Sequence, residues 1–276
     1  MQKINYSLIV SDFDGTLVNK DKTISQINKD AIAQYKKDGG KFAISTGRLP
    51  AGIINRAKEL GLQGAVSCCQ GSVIVDIESK EILLKGAIPN KTAVKICRKM
   101  EELQLHIHVY DVWTYYSNMD DAPLKWYESA TETKAEIVSD KPLSEFLEEK
   151  GFDVCKLLVM VDSKDNERIR CALENENFEN CQITKSADVL LEVVNAEFSK
   201  GTAVRFLAEY YGVAIEKTVG VGDQWNDIPM IEAAGLGVAV KNADNALKEK
   251  ADIVLAYTNE EGAVSKLIEE YGYTEE

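Results

Sequence analysis

The chain has 276 residues, of which 45% are hydrophobic and 28% charged, and its formal net charge is −13. Those proportions exclude a disordered or fibrous chain, and the negative field repels polyanions, so no nucleic-acid partner is expected. No run of about 18 apolar residues occurs, so no membrane-spanning helix is expected. The opening MQKINYSLIV lacks the apolar stretch and small-residue cleavage site of a secretory leader, which points to a cytoplasmic protein.

In chain order, the apolar run YSLIVS predicts a strand, and it leads directly into Asp12, Asp14, Gly15 and Thr16. Ser25 is placed to cap a helix over QINKDAIAQYKKD, where Ile27, Ala31, Ile32 and Tyr35 fall at helical spacing and Gly39 ends the run. A strand at KFAIST, the turn TGR and a helix at AGIINRAKEL follow. This β-α-β-α order is the pattern of a parallel sheet wrapped by helices. The middle of the chain reads differently: helix KTAVKICRKMEEL, a hairpin of LHIHVY and WTYYS, helix SEFLEE, strand CKLLVMV, helix NERIRCALEN and strand NCQIT. Such a series predicts an α+β unit with an antiparallel sheet. Helix GTAVRFLAEYY, strand KTVGVG, helix IPMIEAA, strand GVAV, helix ADNALKEK, strand DIVLA and a last helix from Glu261 then return to the first pattern.

The expected fold class is therefore α/β: a doubly wound, Rossmann-like parallel sheet with an inserted α+β cap. Residues 1–84 and 190–276 form the core and 85–189 the insert. The final GYTEE reads as a frayed acidic tail. Six cysteines, at 68, 69, 97, 155, 171 and 181, form no CxxC pair and read as reduced thiols. His106 and His108 alternate and share one face of their strand, where a polar sheet face is the expectation rather than a metal site. Trp113, Tyr115 and Tyr116 read as hairpin packing.

In open α/β sheets ligands bind outside the carboxyl ends of the strands. The polar residues at those ends are Asp12 and Asp14, then Thr46, Gly47 and Arg48, then Asp223, Asn226 and Asp227, while Lys200 opens the helix after the insert. A DxD followed by Gly is, alone, an ordinary solvated turn. In an extended segment, though, residues 12 and 14 point to one side and Phe13 to the other, so both carboxylates can reach one group. Several carboxylates at one place repel unless a cation sits among them, and hard oxygen donors with no Cys or His nearby suit Mg²⁺. Lys200, the Thr46 hydroxyl and backbone amides could then hold phosphoryl oxygens.

Four pieces, DFDGTL at 12–17, STGR at 45–48, FSKGTAV around Lys200 and GDQWNDIPM at 222–230, come in the order found in one family. The chain resembles the haloacid dehalogenase superfamily, and within it the Cof-type (subfamily IIB) phosphatases with a large C2 cap. The resemblance frames nearly the whole chain. It implies a Mg²⁺-dependent phosphatase of small phosphorylated metabolites, in which Asp12 is the nucleophile and forms an aspartyl-phosphate. Asp14 would protonate the leaving alcohol and then activate water. Thr46 would hydrogen-bond the transferring group, Gly47 would offer its amide, and Lys200 would balance charge. Asp223 would complete the Mg²⁺ shell with the Asp12 carboxylate and the Asp14 carbonyl, while Asn226 and Asp227 would support Lys200, the phosphate and the metal waters. Arg48 stands between a substrate contact and a salt bridge at the rim. Gln70 departs from the family pattern, which has Asn before the Gly, and residues 195–198 lack its usual Pro and Gly. A phosphosugar phosphomutase on the same core and a non-catalytic phosphometabolite sensor remain alternatives. A monomer or weak homodimer is expected.

Overall fold

The computed structural model describes residues 3–274. Five parallel strands form one sheet in the order Ile253–Val254, Leu236–Ala239, Thr218–Gly222, Leu8–Ser11 and Lys41–Ile44. Ser11 lies in register with Val221 on one side and Ile44 on the other. Three segments far apart in sequence, beginning at residues 12, 45 and 223, therefore leave the sheet side by side at its carboxyl edge. The order is dictated by burial on both faces. Ile9 packs into one cluster with Ile32, Tyr35, Leu267 and Ile268, from the helices Gln26–Lys37 and Ala263–Tyr271. Leu8 and Val10, pointing the other way, pack with Val204, Leu207 and Met230 from Lys200–Tyr210 and Ile228–Ala233. Ser25 caps the first helix as expected, its hydroxyl accepting from the Asn28 amide.

A small antiparallel sheet of Ala65–Cys68, Val73–Asp76 and Ile82–Lys85 follows, joined to the parallel sheet through a bridge between Ser45 and Ser67. No strand was expected there, although these runs are as long as the expected strands Leu8–Ser11 and Lys41–Ile44.

The third sheet has six strands, in the order Cys181–Ala187, Leu190–Asn195, Lys156–Met160, His106–Tyr110, Tyr115–Ser117 and Glu136–Ile137. All its pairings are antiparallel except the last, which is parallel. The expected division after residue 189 must be moved, since it separates Cys181–Ala187 from Leu190–Asn195, two strands of one hairpin. The helix Ala122–Thr131 was also not anticipated, although the Asp121 cap and Pro123 in its first turn are start signals. The strand alternation has a functional consequence. Ile107, Val109, Leu157, Val159, Leu191 and Val193 pack under the helices Asn90–Glu102, Leu143–Lys150 and Asn166–Glu174. Their neighbours His106, His108, Tyr110, Lys156 and Glu192, all buried, occupy the opposite face.

Tyr115 stacks on Tyr110 at 5.0 Å, as hairpin packing requires. The six cysteines are free, four of them buried. The end of the chain corrects an expectation: Tyr273 packs edge-on against Tyr35 at 6.1 Å, and the Thr274 amide donates to the Lys3 carbonyl at 2.9 Å. The last two residues of the tail, 275 and 276, lie outside the described residues. Among the described residues no helix is long and apolar enough to cross a membrane.

The two histidines face each other with their Nε2 atoms 3.1 Å apart, and Ser117 Oγ lies 3.1 Å from His106 Nε2. Burial lowers both pKa values; Asp121 partly opposes this at His106, while His106 and Lys156 add to it at His108. Both shifts favour the neutral imidazole in the fold, so protons are taken up on unfolding in acid. Their neutral burial is free above about pH 6.5, and below it the unfolded chain gains protons that the fold does not, at up to about 1.4 kcal/mol per pH unit for each group. Between pH 7.5 and 5.5, urea melts are expected to show that acidification favours the unmodified protein less than His108→Leu; equal changes in the two proteins would exclude this origin.

Candidate active site

Asp12 directly follows the strand Leu8–Ser11, its amide donating to the Val221 carbonyl of the neighbouring strand at 2.8 Å. Gly15 then turns the chain with φ +85°, and a Cβ there would lie 2.4 Å from Asp223 Oδ2. Only glycine fits both the dihedral and the approach of that carboxylate. Thr16 Oγ1 donates to Asp223 Oδ1 at 2.7 Å, tying the first loop to the loop after Thr218–Gly222.

Lys200, fully buried, is the first residue of its helix, where the Ser199 side chain accepts from the Gly201 and Thr202 amides. Its ammonium donates to Asp12 Oδ1 and, at 2.6 Å, to Asp227 Oδ1. Asp227 Oδ2 accepts from the amides of Asp223 and Gln224, both at 2.9 Å, which fixes the loop that presents Asp223. Burial raises the pKa of Asp12, with Asp227 adding and Lys200 opposing; burial and Asp227 likewise raise Asp223, to about 7. Burial would lower Lys200, but Asp12 and Asp227 outweigh it and raise it. One ammonium thus serves three buried carboxylates.

Oxygens of Asp12, Asp223 and Asp227 lie within 4.8 Å of one another and could hold a metal ion. The donor set suits a hard cation, and a second positive charge would relieve the crowding that raises Asp12 and Asp223. Hydrogen bonds already engage both oxygens of Asp227. The Asp14 carboxylate is not in the cluster. It is exposed and forms a two-pronged pair with Arg48, Nε to Oδ2 and Nη2 to Oδ1, each 2.7 Å. Arg48 is buried and also donates to the carbonyls of Ala130 at 2.8 Å and Thr131 at 3.2 Å, at the end of the cap helix. It joins Asp14 to the cap.

Thr46 is buried beside them, its amide donating to Ser67 O at 3.0 Å and its Oγ1 accepting from the Arg48 amide at 3.2 Å. Asn226 Nδ2 donates to Gln70 Oε1 at 2.9 Å, so its side chain holds Gln70 rather than Lys200. Gln70 adopts φ 62° and lies so close to Gly47 that a Cβ there would meet Gln70 Nε2 at 2.5 Å. A cavity of about 240 Å³ spans core and cap and is lined by Asp12, Asp14, Thr46, Gly47, Arg48 and Asn226 from the core. The cap contributes Trp126, Tyr127, Lys156, Ser186 and Glu192. No sequence motif marked these cap residues; the one available signal was that Lys156 and Glu192 are charges inside apolar strand runs.

A doubly wound sheet with acidic loops at its carboxyl edge and an antiparallel cap over them defines a hydrolase with an inserted cap. The model of haloacid dehalogenase-like hydrolases matches residues 9–268, and the chain belongs to that family, in its Cof-type branch. It is a phosphatase of the haloacid dehalogenase type. It is 28% identical over 282 residues to a phosphatase of Bacillus subtilis (strain 168), covering 95% of this chain and 98% of that one. A pyridoxal phosphate phosphatase of Escherichia coli (strain K12) is 27% identical over 253 residues, covering 90% and 92%. A haloacid dehalogenase-like hydrolase from Bacteroides thetaiotaomicron superposes with a TM-score of 0.82 at 28% identity, covering 96% of this chain and 98% of that one.

Lys200 is the charge on which the cluster depends. Replacing it by Met leaves Asp12 and Asp227 buried and unpaired, and a loss of about 3–5 kcal/mol in unfolding free energy is expected from urea titration. A loss below about 1 kcal/mol would show that the carboxylates are held apart by other means.

Proposed function

We propose that the chain is a Mg²⁺-dependent phosphatase that hydrolyses small phosphorylated metabolites, such as sugar phosphates, through an aspartyl-phosphate on Asp12. The observation that carries this reading is the position of Asp12: at the carboxyl end of Leu8–Ser11, lining the cavity, with one oxygen held by Lys200. A carboxylate so fixed is aimed along one line of attack, and phosphoryl transfer depends chiefly on such positioning and on charge stabilisation.

Asp12 attacks phosphorus with a carboxylate oxygen as the bond to the leaving oxygen breaks. Asp14 in its acid form gives that oxygen a proton, and the alcohol departs. The Asp14 carboxylate then takes a proton from water, whose oxygen attacks phosphorus and frees Asp12 and inorganic phosphate. For this Asp14 must leave Arg48, so the pair at 2.7 Å describes a resting arrangement. The Thr46 hydroxyl and the Gly47 amide receive phosphoryl oxygens, and Lys200 offsets charge on Asp12. Asp12 and Asp223, with the Asp14 carbonyl, would hold Mg²⁺, which supplies charge neutralisation to the phosphoryl group. Asp227 fixes Lys200 and the Asp223 loop, and Asn226 fixes Gln70 at the cavity wall.

The cavity of about 240 Å³ favours a small leaving group, and the net charge of −13 disfavours polyanionic substrates. Phosphate release from aryl and sugar phosphates is expected with Mg²⁺. Chelation abolishes it, and added Mg²⁺ both restores it and raises the melting temperature. Asp12→Asn loses about a thousandfold or more in kcat. Activity equal to the unmodified protein would refute the role of Asp12, and interconversion of hexose phosphates without phosphate release would favour the phosphomutase.

A further inference from the structure

The cap face above the site carries one ion pair that the proposed mechanism leaves unused. Lys156 and Glu192, both buried, meet at 2.8 Å between neighbouring strands of the cap sheet. Lys156 also reaches the core, where its Nζ donates to the Gly47 carbonyl at 2.8 Å; within the cap it sits 4.4 Å from the Tyr110 ring centre. Glu192 Oε1 accepts from Gln70 Nε2 at 3.0 Å and from Ser186 Oγ. Two cap side chains thus grip two core loops.

We propose that Lys156 is a positioning residue that orients the Thr46 hydroxyl toward the phosphoryl group, acting through the peptide between Gly47 and Arg48; this rests on the phosphatase reading above. That peptide is held at both ends. Its carbonyl accepts from Lys156, and its N–H donates to Thr46 Oγ1 at 3.2 Å. Because Thr46 Oγ1 accepts there, its own proton is left for an acceptor in the cavity that Thr46 lines. Gly47 makes the anchor necessary. Glycine is required by the approach of Gln70, where a Cβ would lie at 2.5 Å, yet glycine leaves the adjoining peptide free to rotate. Lys156 removes that freedom from outside the loop, and Glu192 holds Lys156 in place. Hydrogen bonds to a charged donor are the stronger kind, and burial under the cap strengthens this one further. The phosphate-binding loop is therefore complete only with the cap seated on it.

The test is a double-mutant cycle on the whole protein, with para-nitrophenyl phosphate and glucose 6-phosphate as substrates and Mg²⁺ present. Lys156→Met combined with Glu192→Gln removes both charges, so neither is left buried alone. This variant is expected to lose roughly tenfold in kcat, by the same factor on both substrates, with KM moving less than about threefold. In a Thr46→Val background the same pair of changes should alter kcat by less than about twofold, since the group it positions is gone. A full tenfold loss in both backgrounds overturns the proposal, as does no loss in either. Unequal losses on the two substrates also overturn it and assign the pair to the leaving group instead. Should the Met/Gln variant fail to melt cooperatively, Lys156→Gln with Glu192→Gln, a neutral pair too short to reach Gly47, must give the same non-additivity. If the unmodified protein releases no phosphate, the phosphatase reading falls and the proposal with it. If it does and the pair is neutral, only the proposal falls.

Discussion

The arrangement depends on one lysine ammonium set among three buried carboxylates. Asp12, Asp223 and Asp227 converge because Leu8–Ser11 and Thr218–Gly222 are adjacent parallel strands that release their loops at the same edge. Lys200 reaches Asp12 and Asp227 from the first turn of a helix on one face of the sheet. One positive charge does not balance three negative ones; burial first, and the repulsion of Asp227 second, raise the pKa values of Asp12 and Asp223. A buried cluster in this condition is poised for more positive charge, which a divalent cation supplies.

The cap extends this logic with the simplest regularity of a strand. Its residues alternate between an apolar face under three helices and a polar face turned to the core. A polar face is stable out of water only where each group meets a partner, and here several partners belong to the core: Gly47 for Lys156, and Gln70 for Glu192. Arg48 makes the reverse connection, from the core to the carbonyls of Ala130 and Thr131. Cap and core thus satisfy one another's polar groups around the cavity, and parting them returns those groups to water. This gives cap closure a chemical meaning as well as a steric one.

The parallel sheet was legible because its strands are apolar runs that alternate with helices of readable period, the first with a readable cap at Ser25. The core residues of the site were legible because they cluster at strand ends in four short motifs. What stayed hidden was of two kinds, short local strand pairings and side-chain contacts between distant segments. The hairpin of Cys181–Ala187 and Leu190–Asn195 was cut by the expected boundary, since the chain returns to apolar character before it leaves the cap. The strands of residues 65–85 went unread although they are as long as those at Leu8–Ser11 and Lys41–Ile44, because no α-helix separates them. Lys156, Glu192 and Trp126 sit in no motif, and their meeting with Gly47 and the cavity is created by the fold alone. Even within the motifs side-chain partners were not readable: Asn226 goes to Gln70, and Asp14 to Arg48.

The central claim is that Asp12 carries the phosphoryl group in the course of the reaction. It is tested most directly in Asp14→Asn protein given an aryl phosphate, whose leaving group departs without a proton while attack by water lacks its base. Acid quenching during turnover, followed by peptide mass analysis, is predicted to find one added phosphoryl group on the peptide that contains Asp12, at that residue. Phosphate release with no such adduct, or an adduct on another residue, would contradict the account.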